Sequence, residues 1–318
     1  MKVAYITEMN YGGQQIPRDY LGMRTEQAWP CTLNADCYTF GDVPEKKYDL
    51  GLIIIPKPEE KLVNAIDKNF LDTARQFCDK IGVMQEGPAW FFQRYSLQGQ
   101  INYFNSLRKS DIIFCHNRID KRYFEGITGH PDVRILPTLM IEDSVKNLPQ
   151  VERKGVMVGG NFVEWYGGFD SFMVANSIGE EVYSPKMGQR QEGEEQLGLK
   201  QLPYMVWSEW IKTLNNFKYG VHLMKTHAAG TFALNCAYLG IPCIGYQGLD
   251  TQEICHPNLS VKIGDVLSAR EKIHKLKEDK AFYNFCSEVA KDNYKKHYHE
   301  NKFNTTWKEQ FKISYVGL

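Results

Sequence analysis

The sequence predicts an α/β protein made of two domains, each a parallel sheet covered by helices. Its 318 residues suit two domains of ordinary size. Short apolar segments alternate with amphipathic ones, the order expected of strands joined by helices. A polar segment, residues 143–154, interrupts this alternation, which then restarts. We therefore expect an N-terminal domain over residues 1–148 and a C-terminal domain over residues 149–318.

The N-terminal half shows the strand and helix patterns clearly. Residues 48–55 are almost continuously apolar, as in a parallel strand buried on both faces. Residues 59–80 place apolar side chains on one stripe, which is typical of a helix packed on a core. The predicted strands here are 3–7, 48–55, 81–84, 111–115 and 133–136, and the predicted helices are 59–80 and 98–109.

The C-terminal half repeats the pattern, with a glycine-rich turn after its first strand. Residues 184–203 are polar and predict a long exposed loop, and Ser208 is a plausible N-cap for the helix that follows. The predicted strands are 155–158, 204–207, 220–224 and 242–245, and the predicted helices are 169–178, 208–215, 231–239 and 265 to about 298. Both halves thus predict doubly wound, Rossmann-like domains.

Composition narrows the class of protein. Lys plus Arg and Asp plus Glu each total 38, so the zero net charge argues against a uniformly basic surface for nucleic acid but leaves a local patch open. The longest purely apolar run, residues 52–55, is too short to span a membrane, and no secretory signal follows Lys2. The eight cysteines form no C-x-x-C pair, which favours reduced core thiols. We expect a cytoplasmic protein.

The most informative segment is residues 223–231, where a strand ends, a turn of small residues follows and a helix begins at Gly230. In an open α/β sheet, ligands bind outside the carboxyl ends of the strands. A helix N-terminus there suits a phosphate group, and Thr231 and Lys225 would add a hydroxyl and a charge. An ordinary capped helix explains the same residues equally well.

Residues 223–254 resemble the donor-binding segment of glycosyltransferases with the GT-B fold. In that family an apolar strand is followed by Pro-Ser, a Glu, a Gly, a second Glu, a Gly-x-Pro strand and a glycine-rich loop ending in Glu. Gly230, the 240–242 tripeptide, Gly248 and Glu253 match this pattern. The departures are Lys225 and Thr226 in place of Pro-Ser, His227 in place of the first Glu, and Asn235 in place of the second.

The resemblance implies two Rossmann-like domains facing across a cleft, with a nucleoside-diphosphate sugar, first of all a UDP-sugar, held by the C-terminal one. His227 would contact the sugar or a phosphate and serve in catalysis, and Asn235 would accept a ribose hydrogen bond through its single carbonyl oxygen. In that family an Arg and a Lys follow the first strand of the C-terminal domain. Both are absent here, and Asn161 and Tyr166 lie near their places. No acidic cluster suggests a metal, so we expect no cofactor. The altered motifs leave the stereochemical outcome open.

In the N-terminal half, two loops follow predicted strands. Gly12 and Gly13 allow close backbone approach to a donor or acceptor, although a plain turn has the same sequence. Glu86 lies in the loop that lines the cleft in similar enzymes, so it is the leading general base for an acceptor hydroxyl. A solvated loop acid is the alternative interpretation of Glu86, and Asp19 is the second candidate base.

The acceptor is predicted from residues 90–122, which carry six basic and two acidic side chains among aromatic ones. Trp90, Arg94, Arg118 and Arg122 would contact it, since cations neutralise phosphates and aromatic rings stack on bases. A helix with solvated charges also explains this stretch. Trp207 could flank the nucleotide base or lie in the core.

Several segments, such as MQEGPAW and CHNRIDKRYF, resemble glycosyltransferases of marine bacteriophages. Some phage enzymes add hexosyl or pentosyl groups to hydroxymethylated cytosines, which ranks 5-hydroxymethylcytosine in double-stranded phage DNA first as the acceptor. A surface glycan or lipid-linked saccharide ranks second. A sugar-nucleotide epimerase of the same fold and a non-catalytic sugar- or nucleic-acid-binding module remain alternatives. The oligomeric state stays open.

Overall fold

The computed structural model describes residues 1–55, 68–186 and 191–312. In this part of the chain there are two six-stranded sheets, both wholly parallel, in two compact units. The first unit comprises Met1–Tyr20, Glu26–Pro137 and His227–Ala229, and the second comprises Leu21–Thr25, Thr138–Thr226 and Gly230–Leu318. Helices connect the strands of each sheet, so the predicted pair of Rossmann-like domains is confirmed. The chain passes from the first unit to the second at Pro137, upstream of the polar segment at which the sequence analysis divided it.

The first sheet has the strand order β2-β1-β3-β4-β5-β6. Its strands are β1 (Val3–Thr7), β2 (Asp36–Thr39), β3 (Tyr48–Ile55), β4 (Cys78–Gln85), β5 (Ile112–Cys115) and β6 (Val133–Ile135). The helices of this half are α1 (Thr25–Leu33), α2 (Lys68–Ala74), α3 (Leu97–Lys109) and α4 (Arg118–Thr128), with a 3-10 helix at Ala89–Arg94. Every residue of β3 except Asp49 is buried, as its apolar sequence predicts.

The second sheet has the order β12-β11-β10-β7-β8-β9. Its strands are β7 (Val156–Val158), β8 (Val182–Ser184), β9 (Lys200–Gln201), β10 (Tyr219–His222), β11 (Cys243–Tyr246) and β12 (Ser260–Val261). The helices are α5 (Gly168–Asn176), α6 (Trp207–Leu214), α7 (Thr231–Leu239), α8 (Asp250–Cys255), α9 (Val266–Glu278), α10 (Lys280–His297) and α11 (Glu300–Lys312). This is the strand order of a Rossmann fold, in which the chain reverses its direction of winding between β7 and β10.

Each unit has its own apolar core on its sheet. Helix α7 is buried around most of its circumference, which explains its small and apolar sequence. All eight cysteines are buried and free, as the sequence predicted. Among the described residues, none of the helices combines the length and the apolar character that a membrane crossing requires.

Two predictions around residue 207 are wrong. The segment predicted as a strand at 204–207 is not one, because the short edge strand β9 has already ended and Pro203 has no N–H with which to continue a ladder. Helix α6 then begins at Trp207 with Val206 as its N-cap, so Ser208 lies inside the helix and is buried. Trp207 is also buried, in agreement with the core interpretation of this residue.

The sequence analysis misjudged one helix and missed several other elements, namely α1, β2 and α4 in the first unit and β8, β9, α8, β12 and α11 in the second. Helix α1 contains Pro30, which disguised it because proline is unfavourable inside helices. Of the predicted helix 59–80, residues 56–67 lie outside the described part of the chain, α2 ends at Ala74, and strand β4 already begins at Cys78. Of the predicted exposed loop 184–203, residues 187–190 lie outside the described part of the chain. The rest contains β9 and a buried side chain, Glu194, which accepts hydrogen bonds from Gln191 N and Gln201 Nε2, each at 2.7 Å.

Candidate donor-binding site

The second sheet has one topological switch point, between β7 and β10, and the loops that follow these two strands meet there. Ligands of open α/β sheets bind in the crevice outside the carboxyl ends of such strands. Lys225 N donates to Trp165 O at 3.1 Å, so a backbone bond joins the two loops. Leu223 N donates to the side-chain Oγ of Ser171 in α5 at 2.8 Å. Helices α5 and α7 both begin at these loops, and two helix N-termini therefore occupy one edge of the sheet.

Glycines make this close approach possible. Gly167, the N-cap of α5, has a φ of +61°, and a Cβ there would collide with Leu223 O. A Cβ at Gly159 would collide with the Phe232 ring of α7, and one at Gly160 would lie 3.0 Å from His222 Nε2. These glycines are buried against the neighbouring atoms, so a larger residue at any of the three positions is excluded for a steric reason.

His222, the last residue of β10, lies beneath this glycine loop. It is buried, stacks on Tyr166 with ring centroids 6.2 Å apart, and meets Phe232 edge-on. Its Nε2 has no hydrogen-bond partner among the described residues. Burial lowers the pKa of His222 to about 4, so the imidazole is neutral at pH 7. A neutral ring with an unpaired nitrogen can donate or accept one further hydrogen bond, according to its tautomer.

Lys225 and Gly230 lie at the two ends of the predicted phosphate turn. Lys225 is about half-exposed, and its Nζ forms an ion pair of 3.2 Å with Asp170 in the first turn of α5. Gly230 has a φ of +68°, and a Cβ there would collide with Thr251, whose Oγ1 donates to Gly230 O at 3.0 Å. Thr231 is the first residue of α7 and is partly exposed, whereas Thr226 is buried.

The two residues that stand at the family's glutamates lie in different surroundings. His227 is half-buried and belongs to the first unit together with Ala228 and Ala229, so its role toward a donor stays a prediction. Asn235 is buried in α7. With its amide oriented to suit both neighbours, it accepts from Trp210 Nε1 at 3.2 Å and donates to Thr231 O at 3.3 Å. Its predicted ribose contact would have to compete with these bonds.

In the first unit, Gly12 and Gly13 form a turn after β1. Gly12 N donates to Asn10 Oδ1 at 2.9 Å, and a Cβ at Gly13 would lie 2.9 Å from the Tyr38 ring. Both glycines have positive φ, at +58° and +78°, so the turn itself requires them. Their contact with a donor or acceptor stays a prediction.

The two predicted bases differ in how firmly they are placed. Glu86 directly follows β4 and its N donates to Ile55 O of the neighbouring strand β3 at 2.8 Å, which fixes it at the carboxyl edge of the first sheet. It is partly buried, and Gly87 follows with a φ of +82°. Asp19 lies in an exposed turn that begins at Pro17. The catalytic role of either carboxylate stays a prediction.

The predicted acceptor residues all belong to the first unit. Arg94 lies over Trp90, with its Cζ 5.0 Å from the ring centroid, while Arg118 and Arg122 are exposed one turn apart on α4. Another cation of this stretch, Lys121, is paired with Glu125 on the same helix. The stretch therefore contains both surface cations and a stacked Arg–Trp pair.

Sequence reasoning missed His222, Gly160, Gly167 and Asp170 as parts of the switch-point site. The available signal was the Gly-Gly pair directly after β7, which marks a loop that another backbone or a ligand approaches closely. His222 gave none, because a histidine at the end of an apolar strand has the same sequence in a core and in a site. Among the described residues, no three His, Cys, Asp or Glu side chains are grouped so that they could hold a metal ion.

Comparison with solved structures identifies the fold. Sucrose-phosphate synthase from Thermosynechococcus elongatus superposes with a TM-score of 0.67 at 11% identity and covers 100% of both chains. HepE from Anabaena, solved in complex with UDP and glucose, superposes with a TM-score of 0.67 at 10% identity and covers 98% of this chain and 100% of its own. The two sheets thus form the fold of GT-B glycosyltransferases, as the sequence predicted.

A third similar structure is TarM from S. aureus, solved with fondaparinux, α-GlcNAc-glycerol and UDP. Its TM-score is 0.62 at 9% identity, with 82% of this chain covered. The chain spans only 55% of the length of TarM. No protein-family model matches the sequence, and no curated protein is detectably similar to it.

Proposed function

We propose that this protein is a glycosyltransferase that moves a sugar from a nucleoside-diphosphate sugar, in the first place a UDP-sugar, to a hydroxyl group. The observation that carries the proposal is the switch point of the second sheet, where two helix N-termini and a tightly packed glycine loop lie beside Lys225. Helix N-termini and free backbone N–H groups bind phosphates. The UDP seen in HepE and TarM supports the choice of donor.

In this proposal the C-terminal domain, residues 149–318, holds the donor. The N-termini of α5 and α7 and the Lys225 ammonium stabilise the charge that grows on the diphosphate as the glycosidic bond breaks. Thr231 adds a hydroxyl, and neutral His222 offers its unpaired Nε2 without placing a second charge near the phosphates. His227 and Asn235 keep the roles that the family resemblance gives them, contact with the sugar and with the ribose.

The N-terminal domain, residues 1–148, holds the acceptor. Its hydroxyl oxygen attacks the anomeric carbon, the bond from that carbon to the diphosphate oxygen breaks, and Glu86 takes the hydroxyl proton. Glu86 is preferred to Asp19 because a β3–β4 backbone bond fixes its position, whereas Asp19 lies in an exposed turn.

Two acceptor classes remain. The exposed Arg118 and Arg122 and the stacked Arg94–Trp90 pair favour a polyanion such as DNA containing 5-hydroxymethylcytosine, which would have to be extruded from the duplex to react. The similar structures give that acceptor and a phage source no support. A saccharide acceptor is the alternative, and mass spectrometry after incubation with each acceptor and a panel of sugar nucleotides separates the two.

Binding of UDP to purified protein tests the donor site. We expect UDP to raise the melting temperature of the wild type and to lose that effect in a Lys225→Ala, Thr231→Val double variant. Lys280→Ala, a change at an exposed lysine of α10, should bind UDP normally. Equal UDP binding by the double variant would refute the site. The proposed charge stabilisation uses backbone and lysine groups, so transfer should continue in a chelator.

A further inference from the structure

The second unit contains a large cavity at the edge of its sheet opposite to the donor site. The cavity has a volume of about 1080 Å³. Its wall includes Lys218, which directly precedes β10, and Asn215 and Leu239, which lie at the C-terminal ends of α6 and α7. These positions mark the amino edge of the sheet, whereas the donor site lies at the carboxyl edge.

The wall of this cavity is basic. Five permanently cationic side chains line it against one carboxylate, Glu142. The cations are Lys146, Arg153, Lys218, Lys291 and Lys295. Glu142 is already engaged, because Tyr294 OH donates to it at 2.7 Å and His299 lies 3.8 Å away. We call this feature the basic cavity.

Two of the five cations make contacts within the protein. Arg153 donates to the carbonyl oxygens of Leu239 and Asn215, at 2.7 and 3.0 Å, and so balances the negative ends of α7 and α6. Lys218 lies over the rings of Tyr219 and Tyr283, at 5.2 and 5.7 Å from their centroids. These contacts leave little of either charge for a ligand.

The other three cations are available. Lys146, Lys291 and Lys295 are exposed, and none has an ion-pair or hydrogen-bond partner for its ammonium group among the described residues. Lys291 and Lys295 are four residues apart on α10, a spacing at which like charges repel. The helix dipole accounts for Lys295, in the last turn, but not for Lys291 or for Lys146 outside any helix. A bound anion would remove this repulsion.

The size and the lining of the cavity restrict the class of ligand that it can bind. Its volume is at the top of the range for small-molecule sites, larger than one monosaccharide needs. Tyr238 and Tyr283 lie in its wall, and both use their hydroxyls internally, so only their rings can meet a ligand. A concave wall with spaced ammonium groups does not fit a flat membrane.

We infer that the basic cavity binds an oligosaccharide carrying several acidic groups, either sulfate, phosphate or carboxylate, and thereby holds an acidic glycan substrate on the enzyme. The inference rests on the proposed function, because it specifies the second of the two proposed acceptor classes, the saccharide. It is independent of the donor site, because the cavity lies at the other edge of the sheet.

Calorimetry on the full chain tests this inference with a sulfated heparin pentasaccharide as the probe. The variant Lys146→Gln, Lys291→Gln, Lys295→Gln should bind it at least about tenfold more weakly than the wild type. The same lysines changed to Arg should keep the affinity. A control with the same change in charge, Lys2→Gln, Lys80→Gln, Lys280→Gln, replaces exposed lysines away from the cavity wall and should bind normally.

Three results would overturn the inference. The two glutamine variants could bind the sulfated pentasaccharide with equal affinity, or the wild type could bind a neutral pentasaccharide as tightly as the sulfated one. The third is that inorganic phosphate competes as strongly as the pentasaccharide itself. Tighter binding of a DNA duplex, lost in the same triple variant, would reassign the cavity to nucleic acid. UDP binding is measured on every variant. If the wild type binds the pentasaccharide but not UDP, the proposed function is refuted, whereas the glycan-binding role of the basic cavity is supported.

Discussion

The loops at the carboxyl edges of the two sheets are built differently. In the second unit, a backbone hydrogen bond joins the loops after β7 and β10, and glycines without room for a Cβ allow their close approach. In the first unit, the corresponding loops present side chains, with Glu86 fixed beside β3 and Asp19 exposed. The arrangement in the second unit suits a ligand common to many enzymes, a diphosphate bound by backbone. The arrangement in the first unit suits an acceptor that differs between enzymes.

The largest expected effect concerns the glycine that joins the loops of the second unit. Gly167→Ala should destabilise the protein by about 3 kcal/mol or more, because its Cβ meets Leu223 O in a backbone that already has positive φ. Urea denaturation followed by circular dichroism measures this.

Gly129→Ala is the matched control for that clash. Gly129 also has a positive φ, of +62°, but nothing lies within 4 Å of a Cβ there. Its substitution should cost only about 1 kcal/mol, the cost of the left-handed conformation alone. If both variants lose the same free energy of unfolding, the close approach of the loops does not add to the cost of the Gly167 substitution.

The next effect separates the two units by function. Glu86→Gln should lower kcat roughly 100-fold, which is about 2.7 kcal/mol and the usual scale for the loss of a general base. UDP affinity should not change, because Glu86 is proposed to contact the acceptor hydroxyl and not the donor. Asp19→Asn should keep normal turnover. Near-normal turnover of the Glu86 variant, measured with saturating donor, would move the role to Asp19 or another acid.

A third effect concerns pH and the buried histidines of the second unit. Burial lowers the pKa of both His222 and His256 to about 4. Between pH 6.5 and 4 the unfolded chain therefore binds protons that the folded chain does not, so stability falls as the pH drops through this window. From pH 7 to pH 5 the loss is roughly 2 kcal/mol for each histidine.

Replacing one histidine isolates its share of this loss. His222→Asn should reduce the fall in unfolding free energy between pH 7 and pH 5 by roughly 2 kcal/mol. His256→Asn, at the other buried histidine, should reduce the fall by a similar amount. If His222→Asn shows the full wild-type loss, the imidazole beneath the glycine loop is not held neutral.

A feature of the structure can be predicted from the sequence only where it leaves a local sequence pattern. Apolar strands such as β3 and the turn before α7 were predictable, because burial and a helix start each have a local pattern. His222 and the Asp170–Lys225 pair were not, because they depend on two loops that lie 50 or more residues apart in the chain and meet only in the folded sheet. The basic cavity shares this property, since Lys146 and Lys291 come together only through the fold.

The smallest expected effect tests the ion pair of the switch point. The Lys225 ammonium is paired with Asp170 at 3.2 Å, so a diphosphate must compete with that carboxylate. Asp170→Asn should therefore raise UDP affinity by about two- to fivefold, the scale of a partly exposed ion pair, with a gain that shrinks as salt is added. Asp292→Asn, at an exposed position of α10, removes the same charge elsewhere and should leave the affinity unchanged. Weaker UDP binding by the Asp170 variant, measured by calorimetry, would mean that the carboxylate holds Lys225 in place for the donor instead of competing for it.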